Sequence, residues 1–119
     1  MKNSLRLKIV IGLALLTLTT SAFADAKSDY DQAMQYAKEN KIDDAVKVLE
    51  TLSTSKDKQY STKANYELGM FHLSKKDYSK AKSYFLLATK DKTNSTAEAL
   101  GSLFNLSLIS VEEKDHKTA

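Results

Sequence analysis

The chain of 119 residues contains no cysteine, no proline and no tryptophan, and glycine occurs only at Gly12, Gly69 and Gly101. Without cysteine there is no disulfide brace, no thiolate nucleophile and no thiolate metal ligand. Without proline, nothing interrupts a helix from within. The scarcity of glycine excludes a glycine-rich phosphate loop. His72 and His116 are the only histidines, with no second imidazole at ligand spacing, so no metal site is expected. No Ser/His/Asp arrangement or isolated carboxylate pair stands out, and Asp43-Asp44 and Glu112-Glu113 read as helix-end charge. The expectation is a protein that is not an enzyme and takes no cofactor.

Long apolar runs are also scarce. The main one, residues 9–18, falls short of the ~20 residues a membrane-spanning helix needs. It follows Lys2, Arg6 and Lys8 and precedes Ala22-Phe23-Ala24, the order of a cleavable secretory signal peptide. Residues 1–24 are therefore expected to be removed on export, leaving residues 25–119 as one small domain with no stable membrane anchor. The expected location is the periplasm, with the extracellular space as the alternative.

An excess of one charge is absent once that segment is set aside. The whole chain carries 18 basic and 15 acidic residues, a net charge of +3. All three excess basic residues lie in the export segment, so the rest is balanced. A nucleic-acid surface is accordingly not expected.

What remains is helical patterning. Tyr30, Ala33, Met34, Tyr36 and Ala37 are spaced for one helix face, with Ser28 or Asp29 as the expected cap. Asn40-Lys41 reads as a turn, and a second helix holds Ala45, Val46, Val48, Leu49 and Leu52. A polar connector leads to a helix over about residues 60–73, then the turn Lys75-Lys76-Asp77. The next helix carries Ala81, Tyr84, Phe85, Leu87 and Ala88. After a polar stretch in which Asn94 or Ser95 would cap, a long helix runs over residues 97–111, and residues 112–119 read as a frayed tail.

The pattern repeats. Tyr30, Tyr66 and Phe104 match, as do Met34, Met70 and Leu108, and Ala45, Ala81 and Ala119, at offsets of 36 and then 38 residues. The middle copy, within residues 64–88, places Tyr66, Leu68, Gly69, Tyr78, Ala81, Phe85 and Ala88 at the spacing of a helix–turn–helix unit. It resembles a tetratricopeptide repeat, whose length is about 34 residues. The resemblance departs at Asn65, His72 and Thr93, and the first copy has Gln32-Ala33 in place of Leu-Gly.

The resemblance implies an all-α fold: a short right-handed superhelix of antiparallel helical hairpins. Its repeats would cover about residues 27–55 and 62–94, with a third over 99–119 that is either a cap or a truncated copy. In such a stack the first helices line a concave groove. The residues placed there are Tyr30, Met34, Tyr66, Met70, Leu73, Phe104 and Leu108, a mixture of rings and adaptable thioethers suited to a peptide segment. Helix core is the competing role for Met34 and Leu108. The lysine and asparagine with which some tetratricopeptide domains clamp a carboxylate are replaced by Tyr30, Met34, Tyr66 and Met70, so no such clamp is implied. Ala45, Leu68, Gly69, Tyr78, Ala81, Phe85 and Ala88 are the structural positions.

The functional expectation is a non-catalytic interaction scaffold of the cell envelope that binds another protein or a peptide segment. The alternatives are a structural subunit that self-associates through the third long helix, at Leu103 or Ile109, and an accessory factor in cell-wall or outer-membrane maintenance. Lys63, Lys75, Lys76, Lys80 and Lys82 are expected on a solvated face, and His72 in a packing position between helices.

Overall fold

A computed structural model describes residues 22–90 and 96–118, with side chains from Asp25 onward. Among the described residues there are five helices: α1 (Ala22–Lys38), α2 (Ile42–Ser53), α3 (Lys58–Ser74), α4 (Tyr78–Ala88) and α5 (Ala97–Thr118). No strand occurs among the described residues, so the chain is all-α. The expected signal peptide lies mostly outside the described residues, as do Asn94, Ser95 and the third-copy position Ala119.

Helices α3, α4 and α5 start where a side chain accepts from their free N–H groups. The Asp57 carboxylate accepts from the N–H groups of Gln59 (3.1 Å) and Tyr60 (3.3 Å), which moves the start of α3 two residues upstream of the expected Tyr60. Asp77 caps α4 by accepting from the N–H of Lys80 at 3.2 Å. At α5 the Thr96 hydroxyl takes this role, accepting from the N–H of Ala99 at 3.3 Å. Helix α2 has no side-chain cap, but Asp43 and Asp44 in its first turn complement the helix dipole. Ser28 and Asp29 cap nothing: α1 already begins at Ala22, and no breaker interrupts it before Lys38.

The two hairpins close with one turn design. The N–H of Lys41 donates to Tyr36 O (2.8 Å) and that of Asn40 to Ala37 O (3.1 Å). Thirty-six residues later, Asp77 donates to His72 O (2.9 Å) and Lys76 to Leu73 O (2.9 Å). Both are the paired bonds of a Schellman motif, with Asn40 at φ 61° and Lys76 at φ 57° in the left-handed region. The 36-residue offset seen in the sequence is therefore also an offset of backbone geometry.

Packing proceeds from neighbour to neighbour. Every helix lies against the next, α1 also against α3, and α3 also against α5. One apolar cluster joins α1, α2 and α3 around Ala33, Leu49, Ala64 and Leu68, and a second joins α4 and α5 around Ala81, Phe85 and Ile109. Leu68, Ala81 and Phe85 are fully buried, with Ala45 and Ala88 nearly so, while Tyr78 is half-buried. Gly69 lies directly under the Phe85 ring, which leaves no space for a Cβ there. Of the apolar residues expected to face inward on α4, Leu87 is exposed instead, because the buried side follows Ala81, Phe85 and Ala88.

The third copy departs from the sequence pattern. Glu113, Lys114 and Asp115 stand 38 residues after the turn Lys75-Lys76-Asp77, yet α5 continues through them to Thr118. The expected frayed tail is helix, and its side is tied down by Lys82 Nζ on both Glu113 oxygens, at 2.8 and 2.9 Å. Ile109, expected on an exposed edge, is 1% exposed and belongs to the second cluster.

Candidate binding surface

The first helices α1, α3 and α5 meet through polar side chains that bridge them. Tyr30 of α1 donates its hydroxyl to Glu67 Oε1 of α3 at 3.2 Å. Lys63 of α3 reaches Glu98 Oε1 of α5 at 2.7 Å, and its ammonium lies 5.7 Å from the Tyr30 ring centre. Lys63 and Lys82 are thus inter-helix partners rather than part of a solvated face. Burial pushes the Glu67 carboxyl above the usual carboxylate range, against the Tyr30 hydrogen bond, while the Lys63 hydrogen bond holds Glu98 below it. Burial, helped by the negative charge of Glu67, also raises the Tyr30 hydroxyl, which stays protonated as a donor.

The three matched rings have three different surroundings. Tyr30 is half-buried beside Tyr60, with ring centres 5.9 Å apart. Tyr66 is half-buried against Phe85 (6.2 Å) and over Gly101. Phe104 is exposed. These positions are equivalent in register, but α5 has no following helix among the described residues to cover Phe104 as α4 and α5 cover Tyr66.

The other four groove residues come together in pairs. Met34 of α1 and Met70 of α3 line one open hollow of about 290 Å³, together with Ala37, Ile42 and Phe71 and with the buried Ala45 and Leu49. Leu73 of α3 and Leu108 of α5 line another of about 550 Å³, with Tyr78, Ile109 and Val111. The hollows correspond in part, through four of the nine residues that line each. Under the repeat offsets Ala37 corresponds to Leu73, Ile42 to Tyr78, Met70 to Leu108 and Phe71 to Ile109. Each lies where a hairpin turn meets the first helix of the next unit. Asn105 of α5 ties that helix to the first hollow, its amide donating to Met70 Sδ (3.4 Å) as well as to Gly101 O of its own helix (3.0 Å).

Their rims differ in charge. Glu67 edges the first hollow, and Lys75 covers the outer face of Phe71 at 5.0 Å from the ring centre. Lys76, Glu112 and His116 edge the second. A polar hollow of about 590 Å³ lies elsewhere, between the α2–α3 connector and the end of α4, lined by hydroxyls with Lys58 and Lys90. Asn65 reaches it from α3 and keeps a buried Oδ1 without a hydrogen-bond partner. With little apolar floor, that hollow lacks the anchor surface of the other two.

His72 takes its place between helices, stacked on Tyr84 with ring centres 5.5 Å apart and edge-on to Phe71 at 5.0 Å. Burial, helped by Lys80, lowers its pKa, so it packs as a neutral ring. Among the described residues, no group of three or more His, Asp or Glu could hold a metal ion, and no helix is long and apolar enough to cross a membrane. Comparison of the chain with protein-family models, curated proteins and solved structures returned no match.

The pairing of Met34 with Met70 follows from the repeat offset, whereas the Tyr30–Glu67 and Lys63–Glu98 bridges escape sequence reasoning. Glu67 and Lys63 share one helix, and nothing local says which neighbouring helix each will reach. The only available signal is that both occupy the first-helix face of the repeat.

Proposed function

We propose that this chain is a non-catalytic scaffold built in the manner of a short tetratricopeptide array: two helical hairpins and a terminal helix, exported to the periplasm. It binds a partner protein through an extended or helical segment laid along the first helices. The observation that supports this reading is an apolar hollow at the turn of each hairpin, with four of the nine lining residues in equivalent positions in the two units. A core defect has no reason to repeat in register. A segment bearing two apolar side chains would seat one in each hollow, with Met34 and Met70 adapting to its shape.

The test reads both hollows at once. A photo-crosslinking residue at Ser74, beside the second hollow, should trap a discrete adduct in expressing cells. Ile42→Lys with Met70→Lys, two exposed positions of the first hollow, should reduce the adduct at least about tenfold, since an apolar anchor contributes ~1.5–3 kcal/mol. Helical circular dichroism should be unchanged. An adduct of undiminished yield would rule out a segment spanning both hollows.

A further inference from the structure

One face of α5 is buried through Ala99, Ser102, Asn105 and Ile109. The opposite face is apolar and uncovered: Phe104 is 64% exposed, Leu100 59%, Val111 57%, Leu103 53% and Leu108 46%. We infer that this face is a two-fold interface on which α5 packs antiparallel against α5 of a second copy, with Phe104 of each copy opposite Ser107 of the other.

The register follows from the residue pattern. Ala97, Phe104 and Val111 recur every seven residues, as do Leu100, Ser107 and Lys114, which is the spacing of a left-handed two-helix seam. In an isologous contact, residue i meets j and j meets i. Setting Phe104 against Ser107 then sets Leu100 against Val111, Leu103 against Leu108, and Lys114 against Ala97. Every level pairs large with small, apolar with apolar, or a charge with a neutral residue. A parallel seam would oppose Phe104 to Phe104, leave a gap at Ser107 and place Lys114 beside Lys114.

The fold already uses this contact internally. Phe85 of α4 fills the space above Gly69 of α3, and Ser107 stands 38 residues after Gly69, at the equivalent position. Ser107 is therefore the small site of the third unit, and a second copy supplies the ring through Phe104. The area is adequate. One ring of about 150–250 Å² and four smaller aliphatic side chains, at those exposures, present on the order of 500 Å² per copy, before any polar flank is counted. A standard stable interface buries ~800 Å² per partner, so the apolar stripe supplies well over half.

Sedimentation velocity of the purified chain at micromolar concentration tests the inference. The wild-type chain should run at twice its mass. Phe104→Glu alone and Ser107→Lys alone should each run as monomers with unchanged helical circular dichroism. Each places an unpaired charge at the seam, so association should weaken by at least about a hundredfold. An equimolar mixture of the two variants should recover the dimer, because the carboxylate introduced in one copy then faces the ammonium introduced in the other, while the second Phe104–Ser107 level stays intact. A monomeric wild type, a single variant that remains dimeric, or a mixture that stays monomeric would each overturn it. Leu108 and Val111 belong to both the seam and the second hollow, but neither substituted position lines a hollow and the measurement uses the purified chain alone, so its outcome does not depend on segment binding there.

Discussion

Gly69 shows how tightly single positions are constrained. A Cβ built on it would stand 2.5 Å from Phe85 Cε1 and 2.6 Å from Cδ1. Phe85 is fully buried, so the ring has nowhere to retreat. Gly69→Ala would gain about 1 kcal/mol of helix propensity, yet overpacking at such a site costs ~1–3 kcal/mol. The expected net is a loss of about 1 kcal/mol, read as a fall in Tm of roughly 4–8 °C for a domain of this size. Gly101→Ala provides the contrast. Its Cβ would meet Tyr66 Cε2 at 2.9 Å, but Tyr66 is only half-buried and its ring has room to give. That variant should be as stable as wild type or slightly more so. Urea denaturation of both proteins decides the matter: equal stability for Gly69→Ala would mean that α3 and α4 are not held by this contact.

At the level of the helices, the turns decide where each element ends. Asn40 and Lys76 occupy the same left-handed position of the same motif. Asparagine tolerates that conformation, whereas lysine carries a steric cost of roughly 1–2 kcal/mol. Lys76→Gly should therefore stabilise the chain by about 0.5–1 kcal/mol, allowing for the extra freedom glycine regains on unfolding. Asn40→Gly should gain less. Thermal denaturation of the two variants checks the order, and a larger gain at Asn40 would contradict it. The same turns explain what was legible beforehand. Helices α2, α3 and α4 follow from apolar spacing and from turn residues within a few positions of their observed ends. The end of α5 does not, because alignment of the third copy calls for a turn at Glu113-Lys114-Asp115. Those residues are compatible with helix, no glycine or proline follows Gly101, and Lys82 holds Glu113 from α4. Repeat register points to a single groove through seven residues. It places Met34 near Met70 and Leu73 near Leu108 because it preserves which face a residue occupies, but it does not foresee two separate hollows or the different surroundings of Tyr30, Tyr66 and Phe104. It missed the inter-helix bridges because they depend on how far each side chain reaches across a crossing.

Across the whole molecule, first-helix contacts add to the neighbour-to-neighbour packing of the stack, and there Glu67 works against stability at neutral pH. Burial raises its carboxyl above the usual range, with the negative charge of Glu98 adding to the effect. A carboxyl raised in the folded state contributes most below its unfolded value, and that contribution is lost as pH rises through the folded value. Glu98 has the opposite sign: lowered by Lys63, it stabilises at neutral pH and loses that contribution only as acid carries the pH through its depressed folded value. His72, also lowered, weakens the fold as pH falls below the normal histidine value. The slope of wild-type stability with pH therefore mixes several groups, and the difference between two proteins is the cleaner measure. Glu67→Gln keeps an oxygen to accept the Tyr30 hydroxyl and removes the charge. It should raise Tm at pH 7, and its advantage should shrink as pH falls toward the usual glutamate value, where wild-type Glu67 takes up its own proton. Glu98 and His72 are common to both proteins and should largely cancel. A glutamine variant less stable than wild type at pH 7, or an advantage that does not change with pH, would show that the Tyr30 hydroxyl holds α1 to α3 through an ionised Glu67 carboxylate and that burial does not dominate there.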